Sequence, residues 1–245
     1  MQLITHYFER DLERLGYAGT EVRYSLGYSQ GDGMAFYGYP DAPDRLVERL
    51  LHGPCRAGAR RALAKGGCVR IDRNGYGWHY SHWNTMAVTV DGGAGLTRFE
   101  EDALVALEAA IQADVRTQSR RLEREGYALI EGGLFEARVV REFRTRRFTL
   151  RITEVPDDDF DLCQWDEALV DGFYAGLLAG HYRYFGVTVE LFAGGLLLGH
   201  DSLWGITDET ARTDRSYGGY RRDLVKAAVD EARAALRKLC MSQVA

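Results

Sequence analysis

The stretch Tyr24-Ser-Leu-Gly-Tyr-Ser-Gln-Gly-Asp-Gly-Met-Ala-Phe-Tyr-Gly38 alternates large apolar residues with small ones on both sides of a polar, glycine-rich centre. This pattern predicts two strands joined by a tight turn at Gln30-Gly-Asp-Gly33, because Asp-Gly and Gly-Asp steps supply the positive φ values that short hairpin turns need. A second hypothesis makes Ser29, Gln30 and Asp32 a recognition or catalytic tip. The structural interpretation of Asp32 is a turn hydrogen bond to its own backbone. The chain as a whole favours the structural hairpin.

Helical and strand periodicities surround this hairpin. They predict helices over residues 3–16, over about 41–65 with an interruption at Gly53-Pro54, and over about 97–125 with Gly126 as the end. Short strands are predicted at 68–72, 78–82 and 85–90. The arginines near the end of the long helix are interpreted as solvated residues that suit the helix dipole; they are Arg116, Arg120, Arg121 and Arg124.

Gly132-Gly133 is the predicted boundary between two modules, 1–133 and 134–245. Beyond it, an alternating stretch from Arg138 to Arg151 and two long strands precede a final amphipathic helix. The strands are predicted at 182–192 and 196–204, and the helix at about 220–239. The sequence therefore predicts an α+β protein of two modules, each a small antiparallel sheet packed by a long helix.

Bulk composition narrows the class of protein. The 245 residues carry a net charge of −5, which argues against a general nucleic-acid binder. The four cysteines show no Cys-x-x-Cys spacing, so neither a zinc site nor a disulfide framework is indicated. There is no apolar signal core and no apolar run long enough to cross a membrane. We expect a cytoplasmic protein without a metal site.

Few groups are candidates for catalysis. Asp32 is a possible base, but His79 and His82 should point to opposite faces of a strand, and Cys68 alternates with apolar residues as a buried cysteine does. His200-Asp201-Ser202 are adjacent in a strand and cannot converge. Phosphate-binding, zinc-protease and serine-hydrolase motifs are absent. The sequence predicts no enzyme and no cofactor; an enzyme around Asp32, His79 and His82 is an alternative.

An acidic and aromatic segment is the predicted partner-binding surface. From Glu154 to Tyr182 there is no Lys or Arg, and carboxylates alternate with aromatic residues. Such a segment suits contact with a basic, nucleic-acid-binding partner, with Phe160 and Trp165 as anchors. The alternative is a solvated loop and helix N-terminus. The predicted contact residues are Asp157, Asp158, Asp159, Phe160, Asp161, Trp165 and Asp166.

A competing hypothesis assigns binding to the basic stretch before this segment. Phosphate contacts would come from arginines in alternating strands. The residues concerned are Arg138, Arg141, Arg144, Arg146, Arg147 and Arg151.

The hairpin stretch resembles a Ser-Gly-Phe-x-Ser-Gln-Gly-Asp-Gly-Ala-x-Phe-x-Gly signature of small proteins from bacteriophages and plasmids. Those proteins also share a strand pair that is matched here by Tyr80, His82, Met86 and Val88. The second half is similar to another group of short mobile-element proteins. That likeness rests on Gly186, Val187, Val189, Leu198, Gly199, Asp201, Ser202, Leu203, Trp204, Gly205 and Ile206.

These resemblances imply that the protein is encoded by an accessory gene of a phage or plasmid. They do not imply an activity, because the shared residues are mostly glycines, aromatics and turn residues. Accessory proteins of phages and plasmids often counter host defences, and anti-CRISPR proteins are the best-known kind. The resemblance therefore implies an inhibitor that binds a bacterial defence complex without catalysis. A type I CRISPR-Cas surveillance complex is the expected partner, since its crRNA-binding subunits are strongly basic.

Overall fold

A computed structural model describes residues 2–74, 81–162, 165–211 and 216–242 of the chain. The chain divides into two compact units: an N-terminal unit of residues 4–127, and a C-terminal unit of residues 128–245 together with residues 1–3. Within the described ranges, no helix combines the length and the apolar content that crossing a bilayer requires.

The N-terminal unit is a four-stranded antiparallel sheet with helices. Its strands have the order β1-β2-β3-β4. The elements are α1 (Gln2–Leu15), β1 (Thr20–Ser25), β2 (Gly33–Gly38), α2 (Pro43–Leu50), α3 (Gly53–Ala64), β3 (Cys68–Arg73), β4 (Met86–Asp91) and α4 (Arg98–Glu131), of which α1 and α4 extend beyond the unit at one end.

Helix α4 both covers the sheet and protects its edge. Its apolar stripe is fully buried at Leu107 and Ile111. Two polar side chains of the helix accept hydrogen bonds from the edge strand β4. The Val88 N–H donates to Gln112 Oε1 at 3.0 Å and the Val90 N–H donates to Glu108 Oε2 at 3.0 Å. Backbone donors of an edge strand that are satisfied in this way cannot recruit another strand.

The C-terminal unit contains the second antiparallel sheet, of order β5-β6-β7-β8. Alternate residues of its strands, together with α6, form a core around Ile152, Phe185, Val187 and Leu224. The elements are β5 (Arg138–Arg144), β6 (Thr149–Val155), α5 (Glu167–Leu178), β7 (Tyr182–Ala193), β8 (Leu196–Glu209) and α6 (Arg221–Ser242). The predicted class, α+β with two modules that each pack a small antiparallel sheet against a long helix, is confirmed.

The predicted end of the long helix at Gly126 is wrong, because α4 continues to Glu131. Gly126 lies inside the helix where another element packs closely. A β-carbon there would lie 2.6 Å from Leu26 Cδ1 and 2.8 Å from Phe8 Cζ. The glycine therefore permits close packing and does not end the helix.

The arginines assigned to the last turns of that helix are correspondingly farther from its end. Arg116 and Arg120 both lie over the ring of Trp83, each with its guanidinium carbon 4.5 Å from the ring centroid. Arg121 pairs with Asp11 and, at 2.7 Å, with Glu125. Arg116, Arg120 and Arg124 are exposed, as the prediction of solvated arginines requires. Stacking on Trp83 and the ion pairs of Arg121 replace the predicted interaction with the helix dipole.

The hairpin of β1 and β2 is present, but its connection is longer than the predicted tight turn. Ser25 pairs with Gly33, so residues 26–32 form the loop and Leu26 and Tyr28 lie outside the strand. Tyr28 has a φ of 58°, which a strand does not allow. The predicted strand at 78–82 lies largely outside the described residues.

Candidate partner-binding site

The predicted contact residues of the acidic segment fall into an exposed set and a buried set. Asp158, Asp159, Asp161 and Asp166 are exposed. Asp157 and Phe160 are buried, with 8% and 3% of their surface exposed. The exposed carboxylates belong to the surface of the C-terminal unit.

Asp157 holds the local backbone of the C-terminal unit together. Its Oδ2 accepts a hydrogen bond of 2.8 Å from the Gly205 N–H. Gly205 has a φ of 69° and lies where β8 departs from regular register with β7. A carboxylate that accepts the N–H of an irregular strand residue satisfies a donor that the ladder leaves open. Asp157 is therefore a structural residue.

Asp166 also has a structural role. It is the N-cap of α5, and its Oδ1 accepts a hydrogen bond of 3.0 Å from the Ala168 N–H. Such a cap satisfies one of the backbone donors that the first helical turn leaves unpaired.

Phe160 lies inside an aromatic cluster and is not a surface anchor in this structure. Its ring centroid is 4.7 Å from that of Tyr184 and 5.6 Å from that of Phe173. The cluster continues outward from Phe173 to Trp165, at 5.2 Å, and to Tyr182, at 6.2 Å. Trp165 is half-buried, so it is the aromatic member of the predicted set that reaches the surface.

A cavity of about 430 Å³ opens beside this cluster. One wall comes from α5 and the other from the ends of β7 and β8. The lining residues are Trp165, Ala168, Leu169, Gly172, Phe173, Tyr182, Thr207, Asp208 and Glu209. We call this cavity the aromatic pocket.

Two glycines of α5 shape the aromatic pocket. A β-carbon on Gly176 would collide with the ring of Tyr182, so the absence of a side chain lets this ring lie against the helix. A β-carbon on Gly172 would meet nothing within 4 Å, so Gly172 leaves open space in the wall. Small residues at these positions let aromatic rings line the pocket without filling it.

Two acidic residues, Asp208 and Glu209, line the aromatic pocket. Asp208 Oδ1 accepts a 3.0 Å hydrogen bond from the Glu209 N–H, and its Oδ2 lies 3.6 Å from Arg183 Nη2. Burial, and after it the charges of Asp157 and Asp158, raises the pKa of Tyr184 to about 12. Desolvation and nearby carboxylates both disfavour a phenolate.

One acidic residue of the segment belongs to the core. Glu154 is fully buried, and it accepts hydrogen bonds from Arg138, from Arg183 Nη1 at 3.4 Å and from the Tyr217 hydroxyl at 3.2 Å. Buried carboxylates persist when cations and donors surround them in this way. In the sequence, only its place in an alternating strand distinguishes Glu154 from its exposed neighbours.

The arginine-rich stretch is partly neutralised by ion pairs. Arg138 pairs with Glu154, while Arg144 and Arg151 both pair with Glu142, at 2.6 Å and 3.2 Å. The remaining members are exposed, and one of them, Arg141, lies within β5 over the ring of Phe143, at 4.2 Å. The others are Arg146 and Arg147. Paired guanidinium groups have less capacity for phosphate contacts.

The candidate catalytic groups are not brought together as a site among the described residues. The carboxylate of Asp32 is 8% exposed and already accepts five hydrogen bonds. His82 caps a short 3₁₀ turn and bonds to Asn84 Oδ1 at 3.0 Å. His79 lies outside the described residues. Cys68 is half-buried in β3. Within the described ranges, no group of three or more His, Cys, Asp or Glu is placed to hold a metal ion.

Comparison with protein-family models, with curated proteins and with solved structures finds no match.

Proposed function

We propose that this protein binds a basic partner protein through the acidic surface of its C-terminal unit and performs no catalysis. One observation carries the proposal: the exposed carboxylates Asp158, Asp159 and Asp161 belong to the same segment as Trp165, which lines a pocket that is itself acidic. Exposed charge of one sign speeds the encounter with a partner of opposite charge. Aromatic side chains in a recess supply the contacts that then hold it.

The two motif resemblances support the role of a phage or plasmid protein that counters the defences of its bacterial host. In that role the partner is a bacterial defence complex, and binding inhibits it. We propose a type I CRISPR-Cas surveillance complex first, because subunits that hold crRNA present basic surfaces to an acidic inhibitor. This assignment places the protein in the cytoplasm of a bacterial host.

A direct binding experiment tests the proposal. The purified protein is immobilised, and a purified type I surveillance complex is passed over it while bound mass is recorded. The triple variant Asp158→Lys, Asp159→Lys, Asp161→Lys should lose at least about tenfold in affinity, because attraction at three exposed positions becomes repulsion. A DNA-binding assay of the complex should show inhibition by the wild type and not by the variant.

The matched control carries the same change in net charge at exposed carboxylates elsewhere: Glu9→Lys, Glu13→Lys, Glu136→Lys. It should bind as well as the wild type. An equal loss of affinity in both variants would mean that only the total charge of the protein matters. Unchanged affinity in the Asp158→Lys, Asp159→Lys, Asp161→Lys variant would show that the acidic surface does not contact the partner.

The competing function is nucleic-acid binding by the arginines of β5 and β6. Exposed Arg141, Arg146 and Arg147 are the observation in its favour. A gel-shift titration of single- and double-stranded oligonucleotides against salt separates the two functions, because phosphate contacts give a steep loss of affinity with salt. Tight, salt-sensitive binding that Arg146→Ala and Arg147→Ala abolish would favour nucleic acid over a protein partner.

A further inference from the structure

A row of arginines runs along the exposed side of α4 in the N-terminal unit. Arg116, Arg120 and Arg124 are all exposed and follow one another at intervals of four residues. Side chains at this spacing lie on one side of a helix, and each step advances about 6 Å along the helix axis. We call this row the arginine stripe.

The arginine stripe has no ion-pair partner among the described residues. Glu123, which lies between the last two arginines in the sequence, pairs with neither of them. Other carboxylates of α4 are engaged elsewhere, because Asp114 pairs with Arg49, and Glu125 pairs with Arg121 at 2.7 Å. Like charges four residues apart on a helix destabilise it. An anionic ligand that contacts several of these cations would remove that repulsion.

Trp83 holds two of these arginines in place. The guanidinium carbons of Arg116 and Arg120 each lie 4.5 Å from the centroid of its ring. Two cations that share one ring are within roughly 9 Å of each other, and attraction to the ring leaves their hydrogen-bond donors for a second partner. Side chains that are ordered before binding lower the entropic cost of holding a ligand.

The loop that follows β1 lies at the other end of the arginine stripe. Tyr127 comes three residues after Arg124 on α4, so these two side chains are neighbours on the helix. The ring centroid of Tyr127 is 4.7 Å from that of Tyr28, whose side chain is 62% exposed. Asp32 holds the loop there by accepting hydrogen bonds from the Tyr127 hydroxyl and from backbone N–H groups of the loop. Tyr28 therefore presents an exposed aromatic ring in a fixed position.

Strand β2 connects this loop to the segment that carries Trp83. A β-carbon on Gly33 would collide with Ser81 O, so the residues that lead into the short turn of Trp83 pack against the start of β2. Ser119 of α4 donates a hydrogen bond to the backbone oxygen of Met34, the next residue of the strand. Loop, turn and helix are thus held together within the N-terminal unit.

Regularly spaced cations beside an exposed aromatic ring suit a single strand of nucleic acid. Proteins that bind such strands contact the phosphates with cations and stack the bases on aromatic rings or guanidinium planes. Steps of about 6 Å along the stripe are comparable with the distance between neighbouring phosphates of an extended strand. In a duplex the bases are paired and stacked on one another, so Tyr28 would have no free base to contact.

We propose that the arginine stripe and Tyr28 bind a single strand of nucleic acid. Arg116, Arg120 and Arg124 contact successive phosphates, and Tyr28 stacks on a base at the end of the row. The net charge of −5 belongs to the whole chain and does not prevent binding at a local basic surface. This inference goes beyond the proposed function, because it concerns the other unit and a different class of partner.

Two variants remove phosphate contacts, and a third is their matched control. Arg116→Ala, Arg120→Ala removes two cations of the stripe. Arg146→Ala, Arg147→Ala removes two exposed cations from the C-terminal unit and is the control for total charge. Arg124→Ala is the variant least able to disturb folding, since Arg124 forms no ion pair or ring contact with the described residues.

Tyr28 supplies an independent test of stacking. Its φ of 58° is one that asparagine adopts more readily than most residues, so Tyr28→Asn removes the ring while the backbone conformation is retained. Tyr28→Phe keeps the ring and is the matched control. We expect Tyr28→Asn to weaken binding of a single strand by at least about fivefold, and Tyr28→Phe to bind as the wild type does.

The experiment measures the fluorescence anisotropy of labelled ligands on the full-length protein at several salt concentrations. The ligands are RNA and DNA single strands of about 12 nucleotides, a DNA duplex of the same sequence, and a poly-glutamate peptide. Either single strand should bind at least about tenfold more tightly than the duplex or the peptide. Binding of RNA, of DNA or of both supports the site, because phosphates and bases are common to them.

The arginine variants should change both the affinity and its dependence on salt. Arg116→Ala, Arg120→Ala should lose at least about tenfold in affinity at low salt. The slope of log affinity against log salt should become shallower by about 1.4 in this variant and by about 0.7 in Arg124→Ala, because each phosphate contact on a single strand contributes about 0.7. The control Arg146→Ala, Arg147→Ala should bind as the wild type does.

Several results would overturn the inference. No binding of either strand at low salt, or equal binding of the duplex, would exclude a single-strand site. Equal binding of poly-glutamate would exclude nucleic acid as the class of partner. An unchanged salt slope in Arg124→Ala, or loss of binding in Arg146→Ala, Arg147→Ala, would place the strand away from the arginine stripe. If Arg116→Ala, Arg120→Ala misfolds, Arg124→Ala and Tyr28→Asn decide by the same criteria.

Discussion

The carboxylate of Asp32 organises the loop that connects β1 and β2. Its Oδ2 accepts the N–H groups of Gly27 and Ser29, both at 2.7 Å, and the hydroxyl of Tyr127. Its Oδ1 accepts the hydroxyls of Ser25 at 3.0 Å and Ser29 at 2.9 Å. A carboxylate offers about four lone pairs, so all its capacity is used. Asp32 therefore shapes the loop and is a poor candidate for a base.

These bonds change the acidity of both partners in opposite directions. Burial alone raises the pKa of Asp32, but the hydrogen bonds from Tyr127, Ser29 and Ser25 outweigh it and hold this pKa well below its usual range. Burial, and then the bond to Asp32, raises the pKa of Tyr127 to about 12. The ionised carboxylate and the neutral phenol are thus the pair that the fold stabilises.

We expect Asp32→Asn to lower the free energy of unfolding at pH 7 by about 1–3 kcal/mol, because an amide cannot accept all five donors and leaves some unsatisfied. The contribution of Asp32 is fully present above its unfolded pKa of about 3.9, and it is lost as the pH falls toward the lower pKa of the folded state. Urea unfolding should therefore show that the free energy of unfolding falls less between pH 7 and pH 3.5 in the variant than in the wild type.

Asp159→Asn, at an exposed carboxylate of the C-terminal unit, is the control and should follow the wild type at both pH values. Parallel acid dependence of Asp32→Asn and the wild type would contradict the assignment of this contribution to Asp32.

At the scale of elements, periodicity identified most helices and strands correctly, and local contacts explain the errors. The helix predicted over 97–125 is present. However, the sequence does not distinguish a glycine that ends a helix from a glycine against which a side chain such as Phe8 packs. Only the packing of Leu26 and Phe8 against Gly126 distinguishes them. Likewise, the Gly-Asp steps of the hairpin do not reveal that Asp32 bonds to Gly27 and lengthens the loop.

The aromatic pocket was only half predictable for a similar reason. The acidic and aromatic pattern identified Trp165, on one wall of the pocket. The opposite wall of the pocket depends on the register of β7 and β8. Counting outward from their turn pairs Tyr182 with Thr207, whereas two irregularities in the ladder place Glu209 opposite Tyr182. Such bulges follow from packing and from bonds such as that of Asp157 to Gly205, which pattern alone does not show.

Another prediction concerns the packing of α6 on β8. A β-carbon on Gly199 would lie 2.6 Å from Ala232 N and still closer to Ala228 O, and backbone atoms cannot move aside as a flexible side chain does. We expect Gly199→Ala to destabilise the C-terminal unit by about 1–3 kcal/mol, as overpacking does. Hydrogen exchange of peptides from α6 and β8 should show the loss of protection.

Gly172→Ala provides the opposite case within the same unit, because its methyl group would meet open space in a helix. It should stabilise α5 by about 0.5–1 kcal/mol, since glycine in a helix costs that much relative to alanine. If Gly199→Ala and Gly172→Ala change hydrogen exchange in the same direction and by the same amount, then the close approach of α6 to Gly199 does not limit which residue is tolerated there.

At the scale of the whole molecule, charge is unevenly distributed along the chain. The net charge is only −5, yet the stretch from Glu154 to Tyr182 contains no Lys or Arg, and the hairpin before it carries six arginines, of which Arg138, Arg144 and Arg151 are paired. The modest net charge is therefore an average, and the C-terminal unit has an acidic surface that this average does not reveal. Such a surface acts over a distance that salt controls, about 10 Å at 0.1 M ionic strength.

The last prediction follows from this distribution and concerns the rate of partner binding. The association rate constant for the proposed partner, a type I surveillance complex, should fall by about tenfold as salt rises from about 0.05 to 0.5 M, because screening removes electrostatic steering. The dissociation rate should change less, since contacts inside a closed interface are screened less. In the Asp158→Lys, Asp159→Lys, Asp161→Lys variant, association should instead become slow at low salt and recover as salt rises. Stopped-flow or surface-based kinetics at four salt concentrations measure both rates, and association that is insensitive to salt in wild type and variant alike would show that these carboxylates do not steer the partner.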